Sequence, residues 1–137
     1  MRLFHWSKSN AVFVPEIDDE HRAIYQAGAD LQQAFDSGAP LVCVQEILGA
    51  LITVTEEHFA HEERLMRRGH YESFSWHKQQ HDTARRRIKE YASQIEAGDA
   101  EAGKALNEFL SKWLHDHMGL TDRMMGAFLR NQQRAHV

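Results

Sequence analysis

Two pairs of metal-capable side chains, His58-x-x-x-Glu62 and His77-x-x-x-His81, stand on either side of a break at Gly69. Residues four apart on an α-helix share a face and are separated by about 6 Å along the axis. Each pair can therefore aim two donor atoms at one small volume. Both pairs also continue apolar stripes of helical period. Val44, Ile47, Leu48, Leu51, Val54, His58, Glu62 and Leu65 share a face of a helix expected over residues 41–67. Phe74, His77, His81, Ala84, Ile88, Tyr91 and Ile95 repeat in threes and fours over residues 74–97. Donors placed on such stripes are carried into the interior, where imidazole and carboxylate need partners.

The flanking segments supply two more helices. Pro15 argues against a helix just before Asp18, so residues 1–17 are expected to form an irregular arm, with Trp6, Phe13, Val14 and Ile17 against the core. Asp18 then serves as N-cap of a helix over 19–36 whose stripe is His21, Ile24, Tyr25, Gly28, Leu31 and Phe35. Gly69 is expected to cap the second helix, Ser73 or Ser75 to start the third and Gly98 to end it. Asp99 caps a fourth, with Leu106, Phe109, Leu110, Trp113 and His117 inward. Asp122 follows His117 by five residues, about 140° away on a continuous α-helix. A turn or tightening at Gly119 is expected to swing it back, ahead of a short terminal helix packing Met124, Phe128 and Leu129. The fold class is all-α: an up-down-up-down four-helix bundle with an irregular N-terminal arm and a short C-terminal helix. Residues 1–137 make one domain, with the arm at 1–17, the bundle at about 18–119 and the last helix at about 122–131.

A net charge of −4 offers no basic field for nucleic acid, and no apolar run approaches the ~20 residues of a membrane span. The first residues are too polar for a signal peptide, and the one cysteine, Cys43, suits a reducing cytoplasm. A cytoplasmic monomer is expected. Ten histidines are the compositional anomaly. Taken singly, His21 reads as a hydrogen-bonded core residue and Glu62 as a salt-bridge partner. Together His21, His58, Glu62, His77, His81, His117 and Asp122 lie on four inner faces, and that joint pattern points to metal. Five imidazoles and two carboxylates exceed the needs of one ion. Two ions sharing Glu62 and Asp122 leave one a ligand short, open to a small molecule. His5, His61, His70, His115 and His136 fall off the stripes and are expected at the surface, as is Glu63.

The stretches Ile17-Asp18-Asp19-Glu20-His21, His58-Phe59-Ala60-His61-Glu62-Glu63, His77-Lys78-Gln79-Gln80-His81 and Trp113-Leu114-His115-Asp116-His117 with Asp122 resemble the hemerythrin family, its single-domain bacterial members in particular. The resemblance covers nearly the whole chain. It implies two iron ions, oxo- or hydroxo-bridged, in a non-haem site. His77, His81 and His117 would complete one iron. His21 and His58 would hold the other, which receives O2 as a hydroperoxide, and Glu62 and Asp122 would bridge. Ile24, Phe59, Trp113, Leu114 and Met118 would wall the O2 pocket. Pro15-Glu16, where the family often carries glycine, and His70 depart from its pattern. The implied function is reversible O2 carriage, storage or delivery. The alternatives are a di-iron peroxidase or nitric oxide reductase, or an O2 or iron sensor. Ferritin-like chemistry is disfavoured because those sites are carboxylate-rich.

Overall fold

A computed structural model describes residues 3–135, with side chains to 133. Four helices form the bundle: α1 (Pro15–Asp36), α2 (Leu41–Arg68), α3 (Phe74–Glu96) and α4 (Ala100–Asp116). The short links make neighbours antiparallel. α1 packs on α2 and α4, and α3 packs on the same two, which closes a ring around one interior. Leu31, Leu51, Leu106 and Leu110 are fully buried in its apolar end. The donors occupy the other end, where the last helix and the second half of the arm also lie, while Leu3 and Phe4 reach back to Gln32 and Gly28 of α1. No helix among the described residues is long and apolar enough to cross a membrane.

The first helix begins earlier than expected. Pro15 opens α1 as its first helical residue, because its fixed φ suits that position and its missing N–H would be unpaired there anyway. Asp18 is consequently no N-cap. It is buried one turn in, and its carboxylate accepts the backbone N–H groups of Val12 (2.8 Å) and Phe13 (3.1 Å), pinning the arm to the helix. The arm itself contains a 3-10 turn at Lys8–Asn10. Val12, Val14 and Ile17 are buried, whereas Phe13 is turned outward in the left-handed region at φ 63°, against expectation. Phe4, near the start of the arm, fills the space beside Gly28 of α1.

Gly69 caps α2 with an ordinary negative φ, and the left-handed residue that reverses the chain is His70. Gly69 is small for another reason: Gln132 of the last helix lies against it and donates to its carbonyl at 2.9 Å. Ser73 sits at the start of α3 without a side-chain cap, while Gly98 ends that stretch at φ 92° and Asp99 accepts from Glu101 N–H as expected.

The largest departure follows α4. The chain neither breaks nor tightens at Gly119. It widens into a π-helix, His117–Asp122, and continues as α5 (Arg123–Ala135). Gly119 keeps a negative φ, and a Cβ there would meet open space, so it is not the cause. In α5 the buried methionine is Met125, with Leu129 beside it; Met124 is exposed.

Candidate metal centre

The donors meet because helical period carries each inward from a different wall. His21 comes from α1, His58 and Glu62 from α2, His77 and His81 from α3, and His117 and Asp122 from the π-helix. Hydrogen bonds in a π turn close i→i+5, so residues five apart share a face. That removes the 140° mismatch and aims His117 and Asp122 at one point. Gln80 of α3 supports the widened turn: its Oε1 accepts from His117 Nδ1 and from Thr121 Oγ1, each at 2.8 Å.

All seven side chains are buried, and their donor atoms fall into two sets. Glu62, His77, His81, His117 and Asp122 form one; His21, His58, Glu62 and Asp122 form the other, so both carboxylates are shared. Within the sets His58 Nε2 lies 2.9 Å from Glu62, His117 Nε2 3.0 Å from Asp122, and His21 Nε2 3.1 Å from Asp122. His81 Nε2 lies 3.1 Å from Glu62, and His77 Nε2 3.1 Å from Asp122. Two donors about 2.1 Å from one ion and at right angles stand about 3.0 Å apart, the spacing seen.

Proximity has produced little hydrogen bonding at the centre, where His77 Nε2 and Glu62 Oε1 meet at 3.3 Å. The Nε2 atoms of His21, His81 and His117, Glu62 Oε2 and both Asp122 oxygens are buried without a hydrogen-bond partner. Each such atom costs about 1–3 kcal/mol when left unsatisfied. A cation at each centre meets them together, so the residues present fit a pair of metal ions.

The electrostatics agree. Burial opposes charge on His58, yet Glu62 and Glu20, with Asp122 beyond, outweigh it and lift the ring to about 10. Burial likewise opposes charge on His77, and Asp122 with Glu62 raises it to about 9. His21 is raised against its burial by the same two carboxylates, whereas burial prevails at His117 and lowers it. Burial would push Glu62 up, but His58, His21 and His77 hold it well below the carboxylate range. Burial and Glu62 push Asp122 up, and His117 and His21 overcome them. Protons on His58 and His77 thus supply positive charge where a cation would otherwise supply it.

Other side chains hold the imidazoles from behind. Glu20 approaches His58 Nδ1 at 2.7 Å and His61 Nδ1 at 2.6 Å. Glu63, expected at the surface, is buried and accepts from His81 Nδ1 at 2.9 Å. It lies about 100° round the helix from Glu62, off the stripe but facing α3. His61 is only partly exposed and paired with Glu20; His5, His70 and His115 are exposed as expected, and His136 lies outside the described residues. Periodicity carries no signal for Glu20, Glu63 or Gln80, whose roles depend on interhelical register. Phe59 stacks on His81 with ring centres 4.1 Å apart, and Trp113 on His117 at 4.2 Å. Ile24, Leu114 and Met118 are buried in the core cluster against which the partly exposed Trp113 packs.

A helical bundle with five histidines around two shared carboxylates defines a class, that of bundles carrying a histidine-rich, non-haem metal centre. The description "Hemerythrin HHE cation binding domain" matches residues 12–129. A bacteriohemerythrin of Stenotrophomonas maltophilia is 28% identical over 137 residues, covering 100% of this chain and 86% of that one. A bacteriohemerythrin of Pseudomonas aeruginosa is 31% identical over 113 residues, 82% of this chain and 72% of its own. A myohemerythrin of Theromyzon tessulatum is 27% identical over 119 residues, 87% and 88% of the two chains. The crystal structure of a hemerythrin leucine-to-alanine mutant superimposes with a TM-score of 0.83 at 27% identity, over 94% of this chain and 98% of that one. The chain belongs to the hemerythrin family.

Proposed function

We propose that the two donor sets hold a pair of iron ions and that this single-domain chain binds O2 reversibly, as a carrier, store or delivery protein. The observation that carries this reading is the unequal division of donors, five against four around two shared carboxylates. His77, His81 and His117 would serve one ion and His21 and His58 the other, with Glu62 and Asp122 common to both. With one further bridging oxygen the first set would be complete for six-coordination and the second would lack one ligand. When bound, the iron pair supplies that vacant position and the electrons that hold O2.

The chain's own part is to hold, orient and keep dry. Five neutral imidazoles against two carboxylates favour the ferrous state from which binding starts. Ile24, Phe59, Leu114 and Met118 are each at most 1% exposed, and with Trp113 they would wall the pocket. None of the five is an acid or base near neutral pH, so the wall would offer no proton to the site it encloses. Excluding water and protons in this way keeps binding reversible. A cytoplasmic monomer without a nucleic-acid partner goes with this reading, on the single cysteine and the net charge of −4.

One feature favours an enzyme instead. Short contacts run from His61, beside a surface cleft, through Glu20 to His58. Such a chain suits proton delivery in a peroxidase or nitric oxide reductase. Titrating the anaerobic diferrous protein with O2 separates the two. A carrier takes up one O2 per iron pair, develops a visible charge-transfer band and loses it under inert gas, cycle after cycle. Sustained consumption of O2, peroxide or nitric oxide with a reductant assigns the enzyme. Metal analysis that finds a single ion per chain, or zinc after iron-replete expression, removes both readings.

A further inference from the structure

The supports behind the imidazoles are unequal. In the four-donor set His58 is backed by Glu20, a third exposed to solvent and shared with His61. In the five-donor set His117 is backed by the neutral amide of Gln80, and His77 Nδ1 has no partner. His81 differs. Its Nδ1 lies 2.9 Å from Oε2 of Glu63, a side chain only 8% exposed. The same Oε2 lies 2.8 Å from Arg85 Nη1. One carboxylate oxygen therefore faces both an imidazole N–H and a guanidinium.

Arg85 is placed there by several contacts. Its Nε and Nη2 meet Glu56 at 2.8 and 3.0 Å, and its Nη1 also meets Asp82 at 2.8 Å. Its guanidinium carbon lies 5.3 Å from the centre of the Phe59 ring, which itself stacks on His81. A carboxylate accepting the outer N–H of a metal-bound imidazole makes that imidazole a stronger donor and favours the higher oxidation state. A cation on the same oxygen draws off the negative charge and weakens the effect.

We propose that Glu63 sets the reduction potential of the metal centre through His81, and that Arg85 limits its pull by sharing the same oxygen. Both are positioning residues, and the inference rests on the iron-pair reading above. The test uses the whole iron-loaded chain, with iron counted per chain and the midpoint potential followed by spectroelectrochemical titration. Glu63→Gln replaces the anionic acceptor with a neutral one. It should shift the equilibrium about tenfold toward the reduced form, about 59 mV upward for one electron. Arg85→Gln frees the oxygen and should shift the potential downward. Substitutions that merely loosened the fold would not move it in opposite directions. In the double variant the Arg85 effect should vanish, because it acts through Glu63. An unchanged potential in Glu63→Gln, or an Arg85 effect that persists in the double variant, overturns the proposal. If Glu63→Gln fails to hold iron, Arg85→Gln decides alone, and an unchanged or raised potential overturns it. A wild-type chain without a redox-active iron pair overturns the underlying reading, and with it the proposal, before any variant is measured.

Discussion

Loading the metal-free chain with ferrous ion at pH 8 should expel about two protons from the imidazoles, because the incoming ions take the nitrogens that protons occupied, beside any released by water that becomes a bridge. In the metal-free protein His58 titrates at about 10 and His77 at about 9, so both are charged at pH 8. His21 is shifted in the same direction, against its burial, by Asp122 and Glu62. Two linked protons steepen the pH dependence of binding by about 2.7 kcal/mol per pH unit, so affinity should fall roughly a hundredfold from pH 8 to pH 7. Above the titrations of His77 and His58 the dependence should flatten. Anaerobic calorimetry in buffers of different ionisation enthalpy counts the protons directly. The stability of the metal-free chain follows the same groups. Its raised histidines contribute fully below the unfolded value of ~6.5, and their contribution is lost as pH rises through about 9 to 10. Glu62 and Asp122, held low, contribute above their unfolded values of ~4 and lose it as pH falls. The metal-free optimum should thus lie at about pH 4.5–6.5. The metal-loaded chain needs neutral imidazoles and should weaken below ~6.5, the opposite slope. Metal uptake at pH 8 without proton release, or the same pH slope with and without metal, would refute this account.

Ligand roles should separate by metal counting. His77→Ala and Glu62→Ala should both lower iron content, Glu62→Ala for both ions because its carboxylate is shared, while the exposed His115→Ala leaves it unaltered. Iron lost from His115→Ala and kept by His77→Ala would contradict the donor assignment. Gly28→Ala tests the packing of the arm. An exposed mid-helix glycine gains about 1 kcal/mol on becoming alanine. Here the new Cβ would stand 2.5–2.8 Å from ring atoms of Phe4. Overpacking of this kind costs about 1–3 kcal/mol, so thermal unfolding should show a loss, and a gain would show that Phe4 moves aside freely.

The bundle was legible because its signal is local. Stripes of period 3.6 around His21, His58, His77 and Leu110 state which face of each helix turns inward, and a donor on a stripe goes in with it. Both pairs at i,i+4 needed nothing beyond helix geometry to converge. Pro15 was misread because proline stops a helix in its interior but suits its first turn, and only the arm pinned by Asp18 shows which applies. The π-helix was legible only as a problem, the five-residue step from His117 to Asp122. Its solution was a wider turn braced from α3 by Gln80, since backbone hydrogen bonding takes its register from neighbours as well as from the segment itself. Glu20, Glu63 and Arg85 were illegible for a related reason. Periodicity assigns a residue to the inside or the outside of its own helix, whereas these charged groups sit where two helices meet. Their pairing depends on how far one helix has slid along the next, and that displacement is set by the packing of the whole core.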